Sequence, residues 1–191
     1  MKLPEYYSIR EMTDEEFSPL WDKHAESIFD DNSQIFRVWN FLTEEEKNKA
    51  KLLSRGTPYR LNLGLFYKNE FVGWCAGHQE SHETYYMRNS AVLPEHRRKG
   101  LYTALMKTTM DILIEKGFQK IYSRHNCTNN AVIIPKLKFG FQISSLEVSD
   151  MFGVLVHLVY FPKDLRRKMM VYRAGDLMPD EEIKKALGIE Q

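Results

Sequence analysis

One stretch of the sequence decides the fold: Ser90-Ala-Val-Leu-Pro-Glu-His-Arg-Arg-Lys-Gly-Leu-Tyr-Thr-Ala-Leu105. An apolar strand ends at Pro94, a basic turn covers residues 97–100, and apolar residues then recur at helical spacing. The first N–H groups of a helix lack intrahelical partners, and the helix dipole adds partial positive charge there. Because Gly100 permits close backbone approach beside three cations, the stretch predicts a phosphate-type anion site. The alternative is a solvated basic turn before an ordinary helix, since one glycine is weak motif evidence.

The composition is that of an ordinary globular protein. The 191 residues are 43% hydrophobic and 28% charged, which is enough for one well-buried domain. A net charge of +1 argues against a nucleic-acid surface. The N-terminus lacks an apolar signal region, no run of about 18 apolar residues would cross a membrane, and Cys75 and Cys127 have no disulfide-framework spacing. We therefore expect a cytoplasmic protein with no nucleic-acid or membrane partner.

The order of elements predicts a mixed sheet in the α/β class. Thr13 and Glu16 have the capping-box spacing, so a helix should follow the first strand. Lys68-Asn69 separates two apolar runs and predicts a hairpin. Alternating strands and helices in the second half favour a parallel pair inside a sheet that is antiparallel elsewhere. The expected strands cover residues 6–12, 60–67, 70–78, 84–93, 120–124, 142–148 and 154–161, and the expected helices 13–28, 35–53, 101–116 and 129–138.

A charged segment with a helical pattern covers residues 164–191. Pro179 and Gly188 delimit a short final helix within it. We expect one domain over residues 1–163 and a C-terminal tail that packs on it, with a homodimer contact as the alternative role of the tail.

Two motifs resemble those of the GNAT N-acetyltransferase superfamily. Arg97 and Gly100 take the first two places of its acyl-CoA motif, Arg/Gln-x-x-Gly-x-Gly/Ala, while Tyr102 stands where Gly or Ala is preferred. Asn129-Asn-Ala-Val-Ile-Ile-Pro-Lys-Leu-Lys-Phe-Gly140-Phe141 resembles its second motif, Asn-(x)n-Gly-Phe. The resemblance covers roughly residues 6–161. It implies a GNAT-like fold, with a central, mostly antiparallel sheet, a splayed parallel pair and flanking helices.

The resemblance also implies acetyl-CoA as co-substrate. N–H groups of the turn and of the first helical residues would hold the CoA pyrophosphate, and the preceding strand would pair its free backbone groups with the pantetheine amides. Asn129 would contact the CoA arm, with helix N-capping as its other role. The implied cofactor-binding residues are Ala91, Val92, Leu93, Arg97, Arg98, Lys99, Gly100, Leu101, Tyr102, Thr103 and Asn129.

As an enzyme, the chain would transfer acetyl directly from the thioester to a primary amine of a small-molecule or peptide acceptor. A strand N–H near Val92 or Leu93 would stabilise the oxyanion. The family usually places a tyrosine four residues before the motif glycine as general acid, but this sequence has Lys136 there. A lysine could protonate the thiolate; the alternative is an ordinary surface residue, which is what this residue type usually is. Tyr102, Tyr122 or solvent are the other proton sources. Because the usual acid is missing, a non-catalytic acyl-CoA-binding or interaction module is the alternative function.

The transfer also needs a group that accepts the proton of the amine. The strand from Thr84 to Leu93 contains no carboxylate, and its alternation predicts that Tyr86, Arg88 and Ser90 share one face. If a side chain serves as base, the candidate catalytic residues near this strand are Glu80, His82, Glu83 and Tyr86; otherwise water carries the proton.

His78, Glu80 and His82 alternate along the chain, and alternate residues of a strand share one face. Two histidines and a carboxylate that converge can form a zinc site. These three residues lie where the alternation breaks at a predicted turn, so we interpret them as a polar hairpin end and expect no metal.

Overall fold

The structure, a computed structural model, describes residues 3–28, 44 and 58–189. Its strands are β1 (Tyr7–Met12), β2 (Arg60–Tyr67), β3 (Glu70–Gln79), β4 (Thr84–Val92), β5 (Lys120–Asn126), β6 (Gln142–Ser149) and β7 (Gly153–Tyr160). Its helices are α1 (Asp14–Ile28), α2 (Leu101–Glu115), α3 (Asn130–Phe139), α4 (Asp164–Arg173) and α5 (Glu181–Leu187). The predicted mixed α/β sheet is confirmed. The helix predicted over residues 35–53 lies outside the described residues apart from Glu44.

Two local sequence signals do what their chemistry predicts. The Thr13 N–H donates to Glu16 Oε2 at 2.9 Å, and the Glu16 N–H donates to Thr13 Oγ1 at 3.3 Å, which is a reciprocal capping box at the start of α1. Lys68 and Asn69 have φ angles of 47° and 70°, the left-handed pair that closes a two-residue hairpin between β2 and β3.

The seven strands form one sheet in the order β1-β2-β3-β4-β5-β7-β6. β4 and β5 pair in parallel, and the other neighbouring strands are antiparallel. The parallel pairing is short, because residues 84–86 pair with residues 120–122 and none of the later residues of either strand do. β4 nevertheless runs on to Val92 and β5 to Asn126, so the two strands separate. We call the resulting gap the β4–β5 cleft; it is the expected splayed parallel pair.

Each face of the sheet is covered by its own apolar layer. On the α2 face, α2 buries residues such as Leu105 and Met110 against Leu63 of β2. On the α1 face, α1 packs Phe17 in a cluster with Trp74 of β3. The cleft therefore lies between two packed layers.

A bulge in β4 changes the direction of its side chains. Two residues of β4, Met87 and Arg88, oppose the single residue Gly77 of β3. One extra residue moves the side chains that follow it to the other face. Tyr86 and Arg88 lie on the α1 face, whereas Ser90 lies on the α2 face. The predicted common face of these three residues is therefore wrong for Ser90.

The tail lies against the connection between β3 and β4. Arg166 of α4 donates to Glu83 Oε2 and to the Gln119 carbonyl, both at 3.1 Å. Lys168 pairs with Asp180 and Glu182 and so joins α4 to α5. Among the described helices, none combines the length and hydropathy needed to cross a membrane.

Candidate active site

The basic turn and the start of α2 have the backbone geometry of an anion site. Arg98 and Gly100 adopt left-handed conformations, with φ angles of 60° and 74°. Gly100 is the N-cap of α2, and no side chain caps the helix. The first N–H groups of α2 therefore remain available to an anionic ligand.

Two of the three basic side chains of the turn are held by the protein. Arg97 Nε donates to the Val92 carbonyl at 2.9 Å. Lys99 Nζ donates to the Tyr7 hydroxyl and to a backbone carbonyl, both at 3.2 Å. Arg98 has no such contact within the described residues. Arg97 therefore fixes the turn to the end of β4, while the Arg98 side chain is exposed to solvent.

Tyr7 anchors the turn to β1, a role that the sequence did not indicate. Its hydroxyl lies 2.7 Å from His96 Nδ1, and the two rings meet edge to face. These residues are far apart in the chain, so no local pattern reveals their contact. The conformation of the turn thus depends on β1, an edge strand three places away from β4 in the sheet.

Fewer backbone groups at the end of β4 are free than the sequence suggests. The Val92 carbonyl is taken by Arg97, and the Leu93 N–H donates to the Val72 carbonyl at 2.9 Å. The Leu93 N–H is therefore not available to an oxyanion, and the prediction that it serves there is wrong. Residues 87–92 have no strand partner on the β5 side in the described structure, which leaves that edge for an extended ligand.

Tyr102 does not crowd the turn. Its side chain packs against the core on the α2 face, and burial raises the pKa of its hydroxyl above the usual range. Leu101 is also buried. Both residues thus present backbone rather than side chain toward the turn, so a tyrosine is tolerated at the third motif position.

Asn129 and Asn126 divide the tasks at the start of α3. Asn129 is the N-cap residue, but its side chain makes no capping hydrogen bond. Asn126 Oδ1 instead accepts from the N–H and the hydroxyl of Thr128, at 3.0 and 2.7 Å. The Asn129 amide is therefore exposed and open to a ligand.

Lys136 is buried, and the prediction of a surface lysine is wrong. Its side chain is 1% exposed. Nζ donates to Ser123 Oγ at 2.7 Å, lies 3.6 Å from Met87 Sδ and sits 4.8 Å from the ring centroid of Phe141. Burial lowers the pKa of Lys136 to about 8. Sequence position gave no sign of this environment, because it depends on strand order.

On the α1 face, the point where β4 and β5 separate is marked by two stacked rings. Tyr86 and Tyr122 lie with ring centroids 4.9 Å apart. The Tyr122 hydroxyl donates to Glu80 Oε2 at 2.6 Å. Burial and this carboxylate raise the pKa of Tyr122. We call the group around these rings the aromatic–acidic cluster; it consists of Glu80, Tyr86, Tyr122, Arg124, Glu147 and His157.

The other half of the aromatic–acidic cluster comes from β5, β6 and β7. Arg124 Nε donates to the Tyr86 hydroxyl at 3.3 Å, and Nη1 lies 3.4 Å from Glu147 Oε2. His157 Nε2 lies 2.5 Å from the same oxygen, and this hydrogen bond lowers the pKa of Glu147. Arg124 already stands over the Tyr86 ring, at 4.8 Å from its centroid, so the exposed Glu80 carboxylate is the group of this cluster that would attract a further cation, such as a protonated amine.

The structure brings two of the four candidate catalytic residues together and places the other two elsewhere. Glu80 and Tyr86 belong to the aromatic–acidic cluster. Glu83 pairs with Arg166 of the tail, and His82 is exposed in the connection between β3 and β4. Within the described residues, no three His, Cys, Asp or Glu side chains are grouped to hold a metal ion.

Arg124, Glu147 and His157 were missed from the sequence. They lie on three strands that are neighbours only because β7 inserts between β5 and β6. The one available signal was His157, a polar residue inside the apolar run of residues 154–160. A polar residue inside an otherwise apolar run can mark a functional side chain.

A cavity between α1 and the sheet adjoins the aromatic–acidic cluster through His78, whose ring meets Tyr86 edge to face. Asp14 at its rim accepts from Asn62 Nδ2 at 2.7 Å. Arg88 lies over the Trp21 ring at 6.0 Å. The cavity thus offers an aromatic wall and polar side chains next to the cleft.

Comparison with known proteins gives a family match. The model of the Acetyltransferase (GNAT) family matches residues 7–141 of this chain. No curated protein has a sequence that matches it.

Several solved structures share the fold. The ribosomal-protein-S18-alanine N-acetyltransferase of Escherichia coli is 18% identical, with a TM-score of 0.58 over 81% of this chain and 93% of that one. PaiA N-acetyltransferase of Thermoplasma acidophilum, in complex with coenzyme A, is 20% identical, with a TM-score of 0.56 over 81% and 99%. A GNAT family acetyltransferase of Elizabethkingia anophelis with acetyl-CoA bound is 14% identical, with a TM-score of 0.53 over 82% and 99%. Likeness at such identities shows the fold alone.

Proposed function

Because this chain belongs to the GNAT acetyltransferase family, we propose that it is an N-acetyltransferase that moves acetyl directly from acetyl-CoA to a primary amine. The observation that carries the proposal is the early end of the pairing between β4 and β5. Because of this break, the basic turn and the aromatic–acidic cluster lie along one cleft, which supports a common site for CoA and the acceptor.

The turn end of the cleft suits CoA. The N–H groups at the start of α2, with Arg98 beside them, would bind the pyrophosphate. The free edge of β4 would pair with the pantetheine amides, and the exposed Asn129 amide would contact the same arm. Arg97 acts by holding Val92, and Lys99 by its bond to Tyr7.

The α1 face suits the acceptor. Glu80 supplies a carboxylate where the strands part, beside the stacked Tyr86 and Tyr122 rings, which Arg124 and His157 flank. A protonated amine is attracted to such a site, and it must lose a proton before its nitrogen attacks the thioester carbonyl. The acceptor would be a small molecule or a peptide that enters through the cavity beside α1.

Glu80 is the base that this geometry favours. Glu83 is engaged by Arg166, and the Tyr86 oxygen accepts from Arg124. Glu80 is exposed and keeps Oε1 outside its bond to Tyr122, which uses Oε2. Its carboxylate can accept the amine proton directly or through one water.

Acetyl-CoA titration and thiol release test the proposal. Calorimetry should give a saturable heat with acetyl-CoA, and incubation with a panel of small amines and peptides should release free thiol together with an acetylated amine. Absence of heat and of any thermal shift at millimolar acetyl-CoA overturns the cofactor assignment. Binding without thiol release for every amine would instead leave an acyl-CoA-binding module.

A further inference from the structure

Lys136 is a buried ammonium that has no acidic partner among the residues the structure describes. Moving an ammonium into a protein interior costs several kcal/mol unless a countercharge compensates. Within the described residues, the contacts of Nζ are Ser123 Oγ, Met87 Sδ and the Phe141 ring, and none of the ion pairs includes it. A titratable group kept in such a place is a candidate for function.

The location of Lys136 is the β4–β5 cleft. The parallel pairing of β4 with β5 ends at Tyr86 and Tyr122. Met87 is the next residue of β4, and Ser123 is the next residue of β5. Nζ contacts both, so it bridges the two strands where they begin to separate. An acyl-CoA arm paired along the free edge of β4 would bring its sulfur to this point.

The hydrogen bonds around Lys136 have a fixed direction. The ammonium can only donate, so Ser123 Oγ accepts from it and is free to donate its own proton to His125 Nε2 at 2.9 Å. Burial and Lys136 lower the pKa of His125 to about 3, so this imidazole is neutral and accepts. Cys75 is the other titratable group nearby, and burial raises the pKa of its thiol, which keeps it neutral.

We propose that Lys136 is the general acid that protonates the departing CoA sulfur. The inference rests on the proposed acetyl transfer to an amine. The other candidate acids are less suited, because Tyr122 lies on the α1 face and donates to Glu80, and burial raises the pKa of the Tyr102 hydroxyl, which makes it a weaker acid.

The amine nitrogen forms the C–N bond to the thioester carbonyl carbon and gives its proton to the base. Collapse of the tetrahedral intermediate breaks the C–S bond, and the electron pair leaves on sulfur. Lys136 Nζ transfers one proton to that sulfur, which yields CoA thiol and a neutral ε-amine. The ε-amine of Lys136 regains a proton before the next turnover, either directly from solvent or through the hydrogen bonds of Ser123 and His125.

Lys136→Met tests the role, with Lys138→Met as the control because Lys138 is exposed two residues later on the same helix. An acid works only below its pKa, so wild-type kcat should fall as pH rises through about 8. Lys136→Met should lower kcat by at least about tenfold, remove that alkaline decline and leave the KM for acetyl-CoA within about twofold. Lys138→Met should behave like wild type. An unchanged alkaline decline in folded Lys136→Met overturns the inference.

A second measurement does not depend on turnover. Protein-bound CoA is titrated by the ultraviolet absorbance of its thiolate, in wild type and in Lys136→Met. A neighbouring ammonium stabilises the thiolate. The acid ionisation constant of the bound CoA thiol should therefore be at least about tenfold larger in wild type than in Lys136→Met. Equal midpoints refute the contact between Lys136 and sulfur, whatever the amine panel shows. Shifted midpoints without acetylation of any amine support that contact and reject the proposed function instead.

Ser123→Ala covers the case in which Lys136→Met does not fold. Removing the hydrogen bond to the ammonium disfavours the charged form, so the alkaline decline of kcat should move to lower pH. A decline that stays in place in this variant counts against Lys136 as its source.

Discussion

The two ends of the β4–β5 cleft are built by different means. The turn end comes from one contiguous stretch, and its binding groups are backbone N–H groups set by the left-handed Gly100 and the start of α2. The acceptor end is made of side chains from β4, β5, β6, β7 and the end of β3. The first needs one local conformation, and the second needs the whole sheet to be in register.

This difference explains which substitutions each end should tolerate. A backbone site is insensitive to most side chains, as the buried Tyr102 shows at the third motif position. A side-chain site depends on individual atoms, because a single side-chain hydrogen bond, from the Tyr122 hydroxyl to Oε2, holds the Glu80 carboxylate at the cleft. Variants that affect binding but not turnover, or turnover but not binding, therefore separate the two ends.

Glu80→Gln should have the largest effect, on turnover alone. The amide cannot accept the amine proton, and loss of a general base typically costs about 100-fold or more in kcat. Affinity for acetyl-CoA should stay within about twofold, since the turn is untouched. Steady-state kinetics and calorimetry measure the two quantities.

Glu83→Gln is the matched control for that variant. Glu83 is bound to Arg166 rather than to the aromatic–acidic cluster, so its kcat should remain close to wild type. Equal losses of kcat in both variants would show that the connection between β3 and β4 acts as a unit, and Glu80 would lose its assignment as base.

Gly100→Val should weaken acetyl-CoA binding by about 5- to 30-fold. A side chain at φ 74° costs about 1–2 kcal/mol, and the turn relaxes away from the binding geometry to relieve it. Gly117→Val at the other end of α2 is the control, because Gly117 has φ 93° and nothing within 4 Å of its added Cβ. It carries similar strain and should lower the melting temperature without changing affinity. Equal affinities of the two variants would remove the turn from the CoA site.

Most of the fold was predictable because its signals are local. Thr13 with Glu16 and Lys68 with Asn69 fix their elements through hydrogen bonds and φ angles within a few residues. The side of the sheet on which Ser90 lies was not predictable. It depends on a bulge opposite Gly77, and the strand pattern carries no mark of the extra residue.

The candidate site likewise has a part that is visible in the sequence and a part that is not. The predicted turn depends on Gly100 and on the helix that follows it, and both are visible in one stretch of sequence. The environment of Lys136 depends on the approach of Met87 and Ser123, which the sheet order brings together across a helix and a loop. Contacts between strands distant in the chain lie beyond what periodicity can give.

Asn129→Ala should weaken acetyl-CoA binding by about fivefold, the loss of one hydrogen bond. Stability should stay the same, since the side chain makes no cap. Asn126→Ala is the counterpart, because it removes both bonds to Thr128 and should lower the free energy of unfolding by about 1 kcal/mol. Calorimetry and thermal unfolding distinguish them. A drop in stability for Asn129→Ala with unchanged affinity would make this residue a helix cap and nothing more.

Arg166→Ala should have the smallest effect, and it tests where the acceptor end stops. The variant loses the bonds to Glu83 and to the Gln119 carbonyl, and both charged side chains are about one-third exposed, at 34% and 38%. Such a pair contributes at most about 1 kcal/mol, which corresponds to a melting temperature lower by about 2–4 °C, and salt should shrink the difference from wild type. Arg173→Ala, at an exposed residue of the same helix, should change less. Unaltered kcat and acetyl-CoA affinity in Arg166→Ala fit a tail that only braces the β3–β4 connection. A loss of kcat comparable to that of Glu80→Gln would instead extend the acceptor end into the tail.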